Sequence, residues 1–326
     1  MGLKGIFREK DGRMRYRVSL KLWEMNEMED MEYEESEQFA GFEEDPTDAY
    51  KGYVPEEFTI AFVDGIRRID HSAYVWDESK TSSYEAVFAT LSAGAIVLKP
   101  KSINLIEQSF RVQRVRRVFL VKGDIEENAF FGLEYEVKKL LEDKELSLEL
   151  LRLLRREEVD TAREVWKKVK PQLLICDGTL TSEHRGITCV GFVKTIKRLF
   201  ISREYAHLLQ NLKKGYRTPL IRVHSQRKIE EQAKLDKYTW YVKLAEGEGI
   251  GTLARLEAFG NLPKEKVKEL ANLTAGVLPM FASAPFQDPR SPQNLLPIKV
   301  LENTLRKHLG APDIARKRLQ EIFLNA

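Results

Sequence analysis

The amino-acid sequence predicts an α/β fold: a mixed sheet flanked by helices, with an acidic insert near the N-terminus and helical additions at the C-terminus. Three observations carry that expectation. Short apolar runs rich in β-branched and aromatic residues follow one another between residues 58 and 98. A long segment of helical period comes after them and ends near Val169. A further apolar run, Leu173-Leu174-Ile175-Cys176, then stops at an Asp-Gly pair. Three strands, a helix and a strand in that order place helices against the faces of one sheet.

Taken in order, residues 14–22 (MRYRVSLKL) alternate as an early strand does. Residues 58–63 (FTIAFV) form a first core strand, and Asp64-Gly65 reads as the turn that ends it. Residues 67–76 then return as an antiparallel strand, and 85–98 (EAVFATLSAGAIVL) make a third, bent at Gly94. The run 118–121 (VFLV) is either another strand or the end of a preceding element. A helical region is expected over about 133–169, broken near Ser147. Beyond 173–176 the pattern gives a helix near 203–214, strands around 219–223, 239–244 and 252–258, and helices at 263–273 and 297–309. This β-β-β-α-β opening is that of an RNase H-like sheet. The chain divides into an N-terminal strand region with the acidic insert (1–54), the main domain (55–310) and a helical tail (311–326).

Composition supports a buried core: 43% of the residues are hydrophobic and the mean hydropathy is −0.39. No run approaches the roughly 18 apolar residues of a membrane helix. The N-terminus shows no secretion signal, and Ile6 stands where a myristoylation motif wants Ser or Thr, so a cytoplasmic location is expected. Cys176 and Cys189 suggest neither a disulfide framework nor a zinc site.

The net charge of +3 conceals separated blocks. Residues 24–45 hold eleven acids and no Lys or Arg. Residues 99–122 carry seven bases, among them Arg111, Arg114, Arg116 and Arg117, against the single acid Glu107. Residues 197–237, which include Lys213 and Lys214, carry eleven bases against four acids. Such blocks are either solvated faces or surfaces that follow a phosphate backbone, with the acidic segment shielding them or meeting a partner.

The chemistry is expected at the strand ends. Asp64 and Asp177 each follow an apolar β-rich run and precede a glycine, which lets the backbone approach a ligand closely. In the helix over 147–169, Leu151, Leu154, Ala162, Val165 and Val169 form an apolar stripe, and Glu158 falls within it while Glu157 and Glu164 lie to its side. An inward glutamate needs a partner, either a metal ion or an arginine. With the two aspartates it would make an all-oxygen site suited to Mn²⁺ or Mg²⁺.

The segment FVDGIRRID resembles the first motif of the NurA nucleases, and LLICDGTLTSEHRGITCVGFVKT their second Asp-Gly motif. Leu154-Arg155-Arg156-Glu157-Glu158 stands where that family's helix glutamate does. Residues 281–310, with the distinctive DPRSPQNLLPI, look like the end of a bacterial branch of NurA-domain proteins. The resemblance covers most of residues 55–310. It implies a metal-dependent deoxyribonuclease acting on single strands and 5′ ends, as endonuclease and 5′–3′ exonuclease, in DNA end resection for repair. It also implies a homodimer working with a HerA-type hexameric ATPase. In metal-assisted hydrolysis one ion activates water and a second, about 4 Å away, stabilises the leaving oxygen. Asp64, Glu158 and Asp177 would then be ligands. Glu302 stands either where archaeal members have a histidine ligand or in a salt pair with Arg306. Lys194 is either a phosphate-neutralising group or a surface lysine, and Trp240 and Tyr241 either stack on bases or fill a core. The chain lacks a Walker A sequence, so ATP-driven motion would come from a partner. The alternatives are an RNase H-like nuclease acting on RNA or DNA junctions, and an inactive nucleic-acid-binding domain.

Overall fold

In the computed structural model the described residues are 16–20, 37–100, 106–130, 134–196, 198–201, 203–225, 236–247, 249–286 and 288–323. The N-terminal strands are β1 (Tyr16–Leu20), β2 (Glu37–Phe42) and β3 (Tyr50–Lys51). Three long strands follow, β4 (Ile60–Asp77), β5 (Ser82–Pro100) and β6 (Ile106–Lys122), then the short β7 (Glu136–Leu140). Helix α1 (Leu146–Val169) leads into β8 (Leu173–Asp177) and β9 (Val190–Val193). Next come α2 (Ala206–Gln210), β10 (Tyr216–Arg217), β11 (Ile221–Ser225), β12 (Lys237–Lys243) and β13 (Leu253–Phe259). Three helices close the described chain: α3 (Lys264–Val277), α4 (Leu296–His308) and α5 (Pro312–Phe323).

The described strands join one mixed sheet, in the order β2-β11-β12-β13-β9-β8-β4-β5-β6-β7. The antiparallel meander β4-β5-β6 is continued on its other side by β8, parallel to β4, and β9, parallel to β8. Helix α1 makes the crossover into β8 and ends where Lys170 turns left-handed before Pro171, which cannot extend the helix. This is the RNase H-like α/β architecture.

Several elements differ from the sequence expectation. Asp64-Gly65 is not a turn: β4 runs straight through it, with Asp64 opposite Gly94 and Gly65 opposite Ala93. Ladder pairing along the whole of β5 outweighs the local turn preference of the dipeptide. The runs at 58–63 and 67–76 are therefore one strand, and the third strand of the meander is β6, of which 118–121 is only the end. Residues 136–140 form β7, parallel to β6, so helix begins only at Leu146. The predicted helix at 203–214 shortens to a 3₁₀ turn and α2. Of the acidic insert, residues 24–36 lie outside the described residues. Its end forms β2 on the sheet edge, and Glu44 is held by buried Arg217 at 2.5 Å.

The two faces of the sheet have separate cores. Ile60, Phe62, Ile96, Leu173, Ile175 and Phe192 face Leu270, Leu273, Ile298, Leu301 and Leu305 of α3 and α4. Ala61, Val63, Ala95, Val97, Leu174 and Cys176 face Val159, Ala162 and Val165 of α1. Side chains alternate along a strand, so the parity of a residue decides which helix it meets. Counting on from Phe62 and Ile175, Asp64 and Asp177 belong to the α3/α4 face. Gly65 and Gly178 turn toward α1.

Candidate metal centre

That parity assembles the site. Asp64, mid-strand in β4, and Asp177, the last residue of β8, sit on neighbouring parallel strands and open toward α4. Helix α4 packs Ile298, Leu301 and Leu305 into the core, which turns Glu302 onto the two aspartates. One carboxylate oxygen from each of Asp64, Asp177 and Glu302 lies within 4.8 Å of the others. Lys194, just past β9, places its Nζ 2.7 Å from Asp177 Oδ2 and 3.9 Å from Glu302 Oε1.

The electrostatics follow from crowding like charges in a low-dielectric corner. Asp64 is only 6% exposed. Burial, and then the negative charge of Asp177, push its carboxyl well above the usual carboxylate range, with Lys194 acting in the opposite sense. Burial works against the Lys194 ammonium too, but Asp177, Asp64 and Glu302 outweigh it and raise that group above an ordinary lysine.

Glu158 lies across the sheet from this trio. It is buried and takes a 2.9 Å ion pair from Arg155, whose Nη1 also donates to the Asp177 carbonyl at 2.8 Å. Burial raises its carboxyl pKa, with Arg155 pulling the other way. The ion pair fills the space that the two glycines leave. A Cβ on Gly65 would fall 2.6 Å from Glu158 Oε1, and one on Gly178 2.5 Å from Arg155 Nη2. The Asp-Gly units are thus two-faced: the aspartate serves the α4 side and the glycine admits the Arg155–Glu158 pair beneath it.

The basic residues are disposed differently from one another. Arg114 pairs with Glu164 at 3.1 Å, Arg116 with Glu136 and Glu157, and Arg117 with Glu134, so these three arginines tie α1 and the segment 134–136 to β6. Arg111 lies in β6, and its side chain falls outside the described residues. Lys213 and Lys214 are exposed in the bend between α2 and β10. Trp240 and Tyr241 are fully buried, Trp240 donating to Thr274 Oγ1, so neither ring offers a surface to a base. The sequence left the partner of the inward glutamate as either a metal ion or an arginine and gave Arg155 no role of its own; the signal for Arg155 was its i, i+3 spacing from Glu158.

A three-oxygen acidic centre built from two neighbouring strands and a covering helix of an RNase H-like sheet is a nuclease-type architecture. Comparison with family models matches the NurA domain over residues 59–306, and the chain belongs to this family of nucleases. A search of curated proteins finds no match. Among the described residues no helix is long and apolar enough to cross a membrane.

Proposed function

We propose that the chain is a divalent-metal-dependent deoxyribonuclease whose ion is held by Asp64, Asp177 and Glu302. The observation that carries this reading is the convergence of those three carboxylate oxygens beside Lys194. The residues suit a hard cation: the donors are all oxygens, and buried Asp177 Oδ1 accepts no hydrogen bond from any described residue. Mn²⁺ or Mg²⁺ bound there would polarise the scissile phosphate and lower the pKa of an attacking water. Asp64 and Asp177 present their carboxylate oxygens from rigid strands, so the site needs little reorganisation. Glu302 completes the group from a helix. Lys194 neutralises carboxylate charge at rest and is placed to neutralise a phosphate oxygen when substrate enters. Arg155 and Glu158 brace the backbone under both aspartates.

Membership of the NurA family makes DNA the substrate. Action on single strands and 5′ ends, a homodimeric state and work beside a HerA-type hexameric ATPase in end resection rest on the same resemblance. Lys213 and Lys214 are the exposed cations proposed to hold the strand. The test is cleavage of single-stranded DNA with Mn²⁺ or Mg²⁺ and with a chelator, for the wild type, Asp64→Ala and Asp177→Ala. Both variants are expected to melt cooperatively and to lose cleavage by at least about a thousandfold, on the order of 4 kcal/mol of transition-state stabilisation. Full activity in either folded variant, or in the chelated wild type, would remove the assignment.

A further inference from the structure

We infer that Arg68 is a positioning residue, held by Asp70, that sets the register of α4 on β4 and thereby the height of Glu302 over Asp64. The inference rests on the metal-centre reading for its consequence, though not for its geometry. Asp70, with its side chain fully buried, accepts hydrogen bonds from Arg68 Nε at 2.7 Å, Thr90 Oγ1 at 2.5 Å and Tyr135 Oη at 3.0 Å. Its carboxylate is thus fixed from β4, β5 and the segment before β7. That fixed carboxylate in turn aims the Arg68 guanidinium, whose Nη1 donates to the Gly310 carbonyl at 2.5 Å. Gly310 is left-handed (φ 75°) and stands one residue past Leu309, the C-cap of α4, so the bond anchors the backbone just where it leaves the helix. A cation at a helix C-terminus is favoured by the helix dipole as well.

The spacing turns this anchor into a ruler. From Asp64 to Arg68 is four strand residues, about 13 Å at ~3.3 Å each. From Glu302 to Gly310 is eight positions, about 12 Å at the helical rise of ~1.5 Å. The two elements advance together, so the Arg68–Gly310 contact and the Glu302–Asp64 approach are satisfied by one and the same placement of α4. The apolar face of α4 alone defines this less sharply, because its leucines and isoleucine tolerate sliding better than a directed hydrogen bond does. A shift by one helical turn, about 5.4 Å, would take Glu302 out of reach of the aspartates.

Two measurements on the full chain test the inference. The first is hydrogen exchange of α4 without metal, in the wild type, Arg68→Ala and Asp70→Asn. Exchange over 302–309 is expected to quicken in both variants, and unchanged exchange would overturn the proposal. Asp70→Asn keeps the size of the side chain and serves if Arg68→Ala does not fold. The second is Mn²⁺ binding by calorimetry in a double-mutant cycle with Glu302→Ala. Arg68→Ala should weaken Mn²⁺ binding about tenfold in the wild-type background, as supporting residues around metal ligands do. In the Glu302→Ala background it should have almost no further effect, because it acts through Glu302. An equal loss in both backgrounds would show a general structural role and overturn the positioning role. If the wild type binds no Mn²⁺, the metal-centre reading fails, and the exchange result alone decides the part played by Arg68.

Discussion

Asp64 sits in an unfavourable local field. It is buried beside Asp177 and Glu302, and its carboxyl is pushed well above the usual range, first by burial and then by Asp177. A carboxyl raised in the folded state binds an extra proton between its unfolded value, about 4, and its folded value. Its contribution to stability therefore falls as pH rises through the folded pKa, and the full cost is present above it. Asp64→Asn keeps the shape and removes that cost. In chelator the variant should melt a few degrees higher than the wild type at neutral pH, on the order of 1 kcal/mol, and lack the wild type's decline as pH rises above about 4. A metal-free Tm at or below that of the wild type would show that Asp64 serves the fold. Two glutamates separate in the same way. Glu302→Gln should weaken Mn²⁺ binding by at least about tenfold with little change in Tm. Glu158→Gln strands a guanidinium that is partly solvated and still bonded to the Asp177 carbonyl, so it should cost about 1–3 kcal/mol of stability and weaken Mn²⁺ less. Calorimetry beside chemical denaturation separates the two; a larger metal defect in Glu158→Gln would move the third ligand to α1.

Helix α1 acts as a brace. Leu150, Leu153 and Leu154 pack on the far half of the meander, and Val159, Ala162 and Val165 on β4, β5 and β8. Its flanking acids Glu157 and Glu164 are clasped by Arg116 and Arg114 of β6. Arg155 and Glu158 then press on the glycines behind the two aspartates. Gly178 has φ 87°, and a methyl group there would meet the Arg155 guanidinium, so Gly178→Ala combines backbone strain with displacement of Arg155 from Glu158 and the Asp177 carbonyl. It should destabilise by about 1–3 kcal/mol, read from urea midpoints, and lower cleavage further than stability alone explains, since the Asp177 backbone must shift. Wild-type stability in Gly178→Ala would show that Arg155 moves aside freely and braces nothing.

Across the whole molecule, charge is sorted by role. Among the described residues, buried charges away from the acidic centre include paired ones: Arg217 with Glu44, and Glu257 with Lys237 and Arg255. Arg114, Arg116 and Arg117 of β6 are engaged by acids of α1 and of the segment 134–136, whereas Lys213 and Lys214 are exposed, and the proposed strand-binding surface is tested there. Reversing Lys213 and Lys214 to Glu should weaken single-stranded DNA binding in chelator for every sequence alike. Loss of two phosphate contacts should flatten the slope of log affinity against log salt by about 1.4. Fluorescence anisotropy over a salt series measures both; an unchanged slope would place the DNA elsewhere and leave this bend as a solvated or partner-facing surface.

The sequence by itself determined the α/β class and the strand–helix–strand order, and marked the two aspartates as candidates, because apolar runs, helical period and Asp-Gly pairs are local signals. It left Glu302 between a ligand and a salt pair, and Glu158 between a metal and an arginine. Tertiary structure decided how these groups are disposed. The two-residue alternation of β4 and β8 sends Asp64 and Asp177 to one face and their glycines to the other, so a glutamate on α1 meets the glycines and one on α4 meets the aspartates. Local pattern also misjudged Asp64-Gly65 as a turn, since pairing with distant β5 carries β4 straight through it. The Arg68–Gly310 contact, 242 residues apart in the chain, was equally hidden. A stripe or a turn preference is written in neighbouring residues; which face receives which helix is fixed only when the sheet and its two helical layers pack together.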